Sequence, residues 1–360
     1  MDVTAVDVSG ERIPFAEAFP VSYGSNRTTD HVFVRIETDE GLVGYGEGTS
    51  LPWFTGEVLD GMVEVGREWL APRIEGETLE AADAAVDEFA ASYPGGEGAT
   101  AAVEMALLDL RAKRAGVPLH ELLGPRVSDT LPVVSVLPAL PPNQTAERAA
   151  EAADRGFRHY KVKADGDVRT DVERINAVLE AIPGDATLRV DANTGWKNAP
   201  TARRAVDGID DLDRIEYLEQ PVHRTRTTDL REVWETTGVP VFADEAAAGP
   251  EDVETLGRDG LAAGIHLKLA KSGSLRRLVE IARTARRYDL VASTVSAFGT
   301  SLEATANLHL AATTPNDSAG IELCTELIAD DPTDDPIRYG PEVTLPDGPG
   351  IGVEPDDALF

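Results

Sequence analysis

Eight short β-like segments, spaced roughly 25–30 residues apart, run through the chain with amphipathic stretches between them, and such alternation closes into a parallel barrel. They are "LPVVSVLPAL", "FRHYKVKAD", "ATLRVDAN", "RIEYLEQP", "VPVFADE", "GIHLKLAKSG", "YDLVASTVS" and "AGIELCT". Stretches such as "TAERAAEAADRG" and "LRRLVEIARTARRYDL" carry the helical period between them. The chain starts differently. "MDVTAVDVSG" and "DHVFVRIETDEGLVGYGEG" alternate apolar and polar residues, with "TDEG" as a turn. From Leu59 to Ala115 the period turns helical, and "TAAVEMALLDLRAKRAG" stops at Gly116 as a C-cap would. The expected fold class is α/β, a (β/α) barrel of modified TIM type with an N-terminal α+β capping domain. The expected boundaries are 1–125 for the cap, 126–325 for the barrel and 326–360 for an irregular segment returning to the cap.

Charge and cysteine usage narrow the function classes. A formal net charge of −31, from 64 acidic residues spread along the chain, argues against nucleic acid and anionic membranes as partners. Six of the 33 basic residues are lysine, and scarce lysine beside abundant acid resembles the surface bias of halophilic, high-salt cytoplasmic proteins. The single Cys324 rules out an internal disulfide and a cysteine-based zinc site, and is expected as a small buried hydrophobe. No leader-like N-terminus and no apolar span are visible, so a cytoplasmic location is expected.

Polar residues at the barrel's strand ends form an ordered set, and strand C-termini are where a barrel keeps its active site. The second segment ends in Lys161 and Lys163, which share a face because strand side chains alternate. The third ends in Asp191 and Asn193, the fourth in Glu219 and Gln220, and the fifth in Asp244 and Glu245. The sixth holds Lys268, with Lys271 just beyond. A lone acid at a strand end is ordinarily a turn former and a lone lysine ordinarily reaches for solvent. Three acids on consecutive strand ends, however, repel one another unless a cation joins them. Oxygen-only ligands suit a hard ion, Mg²⁺ first and Mn²⁺ second. The lysines of the second and sixth strands then face each other across it. His266 shares the face of Lys268 but lies deeper, and a packed or hydrogen-bonded histidine is expected there.

The stretches "YKVKAD", "RVDANTGW", "EYLEQP", "VFADE" and "IHLKLAKSG", with "GLVGYGEG" in the cap, resemble the muconate-lactonizing subgroup of the enolase superfamily over nearly the whole chain. The resemblance implies an Mg²⁺-dependent enzyme that removes a proton α to a carboxylate and stabilises the resulting enolate. By the same resemblance Asp191, Glu219 and Asp244 hold the metal, Lys163 is the base on one face and Lys268 the acid/base or cation on the other. Lys161 is expected to lower the pKa of Lys163 by like-charge proximity. Asn193 is expected to orient the metal shell and Glu245 to pair with Lys268. Ser296, Glu322 and Phe54 are expected around the substrate or behind the metal, with Glu322 at the pocket rim near Lys268. The expected partners are a small carboxylate substrate and further copies of the chain in a homo-oligomer.

The same constellation serves cycloisomerisation, elimination to o-succinylbenzoate, and epimerisation of dipeptides or N-acylamino acids. Dipeptide epimerases typically carry Asp-x-Asp on the eighth strand, where this chain has Glu322 and Cys324 in "GIELCTELIADDP". That stretch resembles the lactonizing enzymes, while "GEGTSLPWFTGE" in the cap resembles the dipeptide epimerases. The expectation is a cycloisomerase-like enzyme; the alternatives are a dipeptide or N-acylamino acid epimerase and o-succinylbenzoate synthase. Acid-sugar dehydratases use a histidine on the seventh strand, absent from "LVASTVSAFG". A metal-binding scaffold without catalysis is the non-enzyme alternative, disfavoured because every ligand and both bases are present.

Overall fold

The computed structural model describes residues 1–22, 24–314 and 320–360. Strands β1 (Val3–Val21), β2 (Gly24–Thr38) and β3 (Val43–Ser50) form an antiparallel sheet. The predicted turn closes β2 to β3, with Gly41 at φ 77° and its N–H donating to the Thr38 carbonyl. The helix Glu97–Ala115 packs on this sheet and ends at Gly116 in the left-handed conformation, φ 68°. Close approach is the reason for "GLVGYGEG". A Cβ on Gly44, Gly46 or Gly48 would sit 2.3, 1.9 or 1.9 Å from the backbone oxygens of Ala106, Ala102 and Gly98 in that helix. Gly46→Ala should therefore destabilise the protein by about 3 kcal/mol, the upper end for overpacking, as read by chemical denaturation.

Seven parallel strands follow β4 (Thr130–Pro132) in strict chain order: β5 (Val134–Leu137), β6 (His159–Lys163), β7 (Thr187–Asp191), β8 (Ile215–Glu219), β9 (Val241–Ala243), β10 (Gly264–Leu267) and β11 (Val291–Thr294). The eighth expected strand is reduced to bridges. Ile321 and Glu322 pair with Val133 and Val295, so this short segment joins the two sheet edges and closes the ring. Apolar faces of the surrounding helices bury against the outside of the sheet in one continuous core that includes Leu188, Val190, Leu218, Val241, Ile265 and Leu278. The C-terminal segment pairs β12 (Glu342–Thr344) with β4. It then reaches the cap, where the Ile351 N–H donates to Asp109 and Phe360 packs on Tyr45.

Two contacts fix the cap over the barrel mouth. Glu47 of β3 accepts from Thr300 N (2.8 Å) and Glu303 N (3.0 Å), capping the helix Ser301–Ala311. The β1–β2 hairpin breaks register between Pro14 and Phe19, and Phe15, Phe19 and Val21 pack there with Val136, Cys324 and Phe298. Among the described residues no helix is long and apolar enough to cross a membrane.

Candidate active site

Sheet register stacks the polar residues into two layers inside the barrel. Lys161 pairs with Arg189 and Arg189 with Tyr217 below; Lys163 pairs with Asp191 and Asp191 with Glu219 above. Every side chain in these layers is at the second-residue period of its strand. All three strand-end acids are fully buried.

Each acid meets a lysine. Lys163 Nζ lies 2.5 Å from Asp191 Oδ2 and 3.1 Å from Asn193 Oδ1. Lys268 Nζ lies 2.5 Å from Asp244 Oδ2, and Lys271 Nζ 2.8 Å from Asp244 Oδ1. Burial opposes the charge on Asp244, but Lys268 and then Lys271 outweigh it and hold its carboxyl well below the ordinary range. Burial likewise opposes the charge on Lys268, and Asp244 and Glu219 outweigh it, raising its pKa. For Lys271 burial wins, and its pKa falls.

Lys161 departs from expectation. Its Nζ sits 2.6 Å from Glu219 Oε2, 2.6 Å from Glu322 Oε2 and 3.3 Å from Asp191 Oδ2. Burial opposes its charge, but these carboxylates raise its pKa well above the ordinary value. It is a caged counter-cation for converging acids, where the sequence reading made it a like-charged neighbour tuning Lys163. Lys161→Met should cost about 3–5 kcal/mol at neutral pH, because it leaves buried carboxylates uncompensated. Glu322, raised by burial but lowered more by Lys161 and Arg189, stands at about 2 rather than 4.5. Its depressed pKa contributes stability above about 4.5 that is lost as pH falls toward 2. The gap between wild type and Lys161→Met should therefore narrow across that window in urea melts with EDTA.

Two further expectations are corrected. Glu322 is not at the rim near Lys268: its residue is 1% exposed, and Oε1 accepts from Arg189 NH1 at 3.1 Å while Oε2 accepts from Lys161. The reason is that the ring closes through Glu322 itself, beside the lower cationic layer. Glu245 forms no ion pair with Lys268 among the described residues; Asp244 takes that lysine, and Glu245 Oε1 accepts from Asn193 Nδ2 at 3.4 Å. Burial, then Asp244 and Asp191, pushes the Glu245 carboxyl up to about 8. His266 is buried as expected, with Nε2 3.1 Å from Glu219 Oε2.

A small cavity of about 30 Å³ opens onto this site, lined by Lys161, Lys163, Asn193, Lys268, Ser296 and Glu322. Its apolar wall includes Phe19, Phe54, Val136, Phe298 and Cys324, and Lys268 Nζ lies 4.7 Å from the Phe54 ring centroid. Burial, with Glu326 and Glu322, raises the Cys324 thiol to about 12, so it stays neutral. A larger concavity of about 400 Å³, lined by Asp87, Glu104 and Arg276, contains none of these strand-end residues.

Residues 2–124 match the mandelate racemase/muconate lactonizing enzyme N-terminal domain, and residues 144–359 the enolase C-terminal domain-like family. The chain belongs to the mandelate racemase/muconate lactonizing enzyme family. It is 29% identical to the N-succinyl-L-Arg/Lys racemase of Bacillus cereus, over 98% of this chain and 95% of that protein. The L-Ala-D/L-Glu epimerase of Bacillus subtilis is 30% identical over 98% and 97% of the two chains. Muconate cycloisomerase 1 of Rhodococcus opacus is 28% identical over 98% and 96%. The crystal structure of the Bacillus cereus racemase superposes with a TM-score of 0.94 at 28% identity, covering 100% of this chain and 97% of that one. A dipeptide epimerase from Enterococcus faecalis, complexed with Mg and L-Leu-L-Tyr, gives 0.92 at 29% identity over 98% and 100%. These relatives are isomerases, and so is this enolase-superfamily enzyme.

Arg189, Phe19 and Phe298 were missed in the sequence, whereas Phe54 lines the cavity as expected. Arg189 stands two residues before Asp191 in "RVDAN", so the same period that joined Lys161 to Lys163 points it into the barrel.

Proposed function

We propose that this enzyme racemises or epimerises an N-acylated amino acid by moving the proton α to its carboxylate, with Mg²⁺ held by Asp191, Glu219 and Asp244. The racemase and epimerase relatives support this over the cycloisomerisation expected from the eighth-strand stretch. The observation that carries it is the charge of the cavity. Among the described residues three lysines line it, and the one lining carboxylate, Glu322, is committed to Lys161 and Arg189. A dipeptide's ammonium would be left under-compensated at a cost of about 1–3 kcal/mol, whereas an acylated nitrogen is neutral.

The three acids suit such an ion. They are all-oxygen, fully buried and on neighbouring strands, and neither oxygen of Glu219 accepts a well-aligned hydrogen bond. Among the described residues the potential ligand atoms of Glu219, His266 and Glu322 lie within 4.8 Å of one another, a deeper group whose two carboxylates share the Lys161 ammonium at 2.6 Å. When bound, the ion supplies Lewis acidity toward the substrate carboxylate.

The chain's own groups supply the proton transfers. β6 and β10 are four positions apart in a ring of eight, so Lys163 and Lys268 approach a bound substrate from opposite faces. One breaks the Cα–H bond and keeps the proton on Nζ; the other, already an ammonium, delivers a proton to the opposite face. Asn193 holds Lys163 by the 3.1 Å contact to Nζ. Lys161 remains charged throughout and offsets the negative charge that develops.

A matched pair tests this reading, because N-propionyl-L-phenylalanine is L-alanyl-L-phenylalanine without its ammonium. With Mg²⁺ in D₂O, proton NMR should show α-proton exchange and loss of optical purity for the acyl compound in preference to the dipeptide. A preference for the dipeptide, or turnover of muconates alone, would overturn the assignment.

A further inference from the structure

The lower layer of the barrel contains a cation that no step above uses. Arg189 is 0% exposed and absent from the cavity lining, yet its NH1 reaches Glu322 Oε1 at 3.1 Å. Its Nε holds Glu216 Oε2 at 3.0 Å, and NH2 donates to the Gly320 carbonyl at 3.4 Å. The guanidinium therefore spans from the partly exposed Glu216 to the segment that closes the ring. Glu322 does face the cavity, so one carboxylate lies between a substrate-side lysine and a buried arginine.

We propose that Arg189 is a specificity-determining positioning residue: by occupying Glu322 Oε1 from behind while Lys161 occupies Oε2, it withholds from the substrate the one carboxylate that could receive an ammonium group. The inference rests on the N-acyl reading of the cavity and explains it at one residue. Two cations on one carboxylate more than offset its single charge, so a third positive group gains little from it. Removing the rear cation changes the preferred substrate charge without touching a group that contacts substrate. A neutral side chain at 189 leaves Oε1 unpaired and the local charge one unit more negative. A buried carboxylate in that state gains most from an incoming ammonium. The class favoured by wild type is thus N-acyl, and the class favoured by the variant is the free dipeptide.

The test is the ratio of kcat/KM for α-proton exchange of L-alanyl-L-phenylalanine to that of N-propionyl-L-phenylalanine, in wild type, Arg189→Met and Arg189→Lys. Arg189→Met should raise the ratio by about tenfold or more, the scale on which one buried polar group discriminates substrates. Arg189→Lys, which keeps a cation behind Glu322, should stay near wild type. A role confined to stability would lower both substrates together and leave the ratio unchanged, and that result overturns the inference. Should Arg189→Met fail to fold, Arg189→Gln, smaller and uncharged but still polar, also removes the rear cation and should raise the ratio in the same direction. Glu322→Gln should not raise the ratio; a rise there would show that the arginine withholds something other than this carboxylate. The wild-type arm alone decides the N-acyl reading, so failure of that reading and failure of the Arg189 role are separable.

Discussion

Alanine in place of Lys268 should split the reaction in two. Racemisation should fall by about 10³-fold or more, as expected for loss of a positioned proton carrier. In D₂O, however, the enantiomer whose α-proton faces Lys163 should still exchange it, returning deuterated without inversion. Lys163→Ala should do the converse with the other enantiomer. The fold should survive both changes, because neither acid loses all its support. Asp244 keeps Lys271 at 2.8 Å, and Asp191 keeps Lys161 at 3.3 Å and the Asn193 N–H at 2.8 Å. Chiral chromatography with mass detection reads both quantities on one sample. If exchange of both enantiomers depended on Lys163 alone, Lys268 would be a charge-stabilising cation rather than a proton carrier. Such one-sided chemistry would return the enzyme to the cycloisomerase reading.

Much of this site was legible because barrel geometry turns strand periodicity into position. Lys163, Asp191, Glu219, Asp244 and Lys268 come to the strand ends inside the ring, with Lys161 one layer below, as their spacing requires. What could not be read was the partner of each charge. Glu322 is far from Lys161 and Arg189 in sequence, and the two cations meet it only because Ile321 and Glu322 close the ring where a full strand was expected. Two aromatics of the apolar wall were equally hidden: Phe19 arrives from a hairpin of the cap and Phe298 from beyond β11, and the break in β1 register lets them meet. The glycines of "GLVGYGEG" were seen as a resemblance, whereas their cause is backbone contact with a helix roughly 50–60 residues away.

Glu219→Gln should abolish the metal site while sparing the barrel. The amide keeps the shape of the side chain but removes a charge from the middle of the three acids. Mg²⁺ affinity should fall by more than about 100-fold, beyond what loss of a mere supporting contact costs, as read by calorimetric titration. α-Proton exchange should fall with it. Unfolding in EDTA should change much less than in Lys161→Met, because Lys161 keeps Glu322 at 2.6 Å and Asp191 at 3.3 Å. Asp191→Asn and Asp244→Asn should weaken the ion in the same titration, whereas His266→Gln should leave it in place. That contrast separates the upper acids from the deeper group of Glu219, His266 and Glu322. Loss of binding in His266→Gln, with binding retained in the two asparagine variants, would move the cation down into the layer of Lys161. Lys161 would then have to leave the position between Glu219 and Glu322 that it now fills, and a buried ammonium with three carboxylate neighbours has little reason to do so.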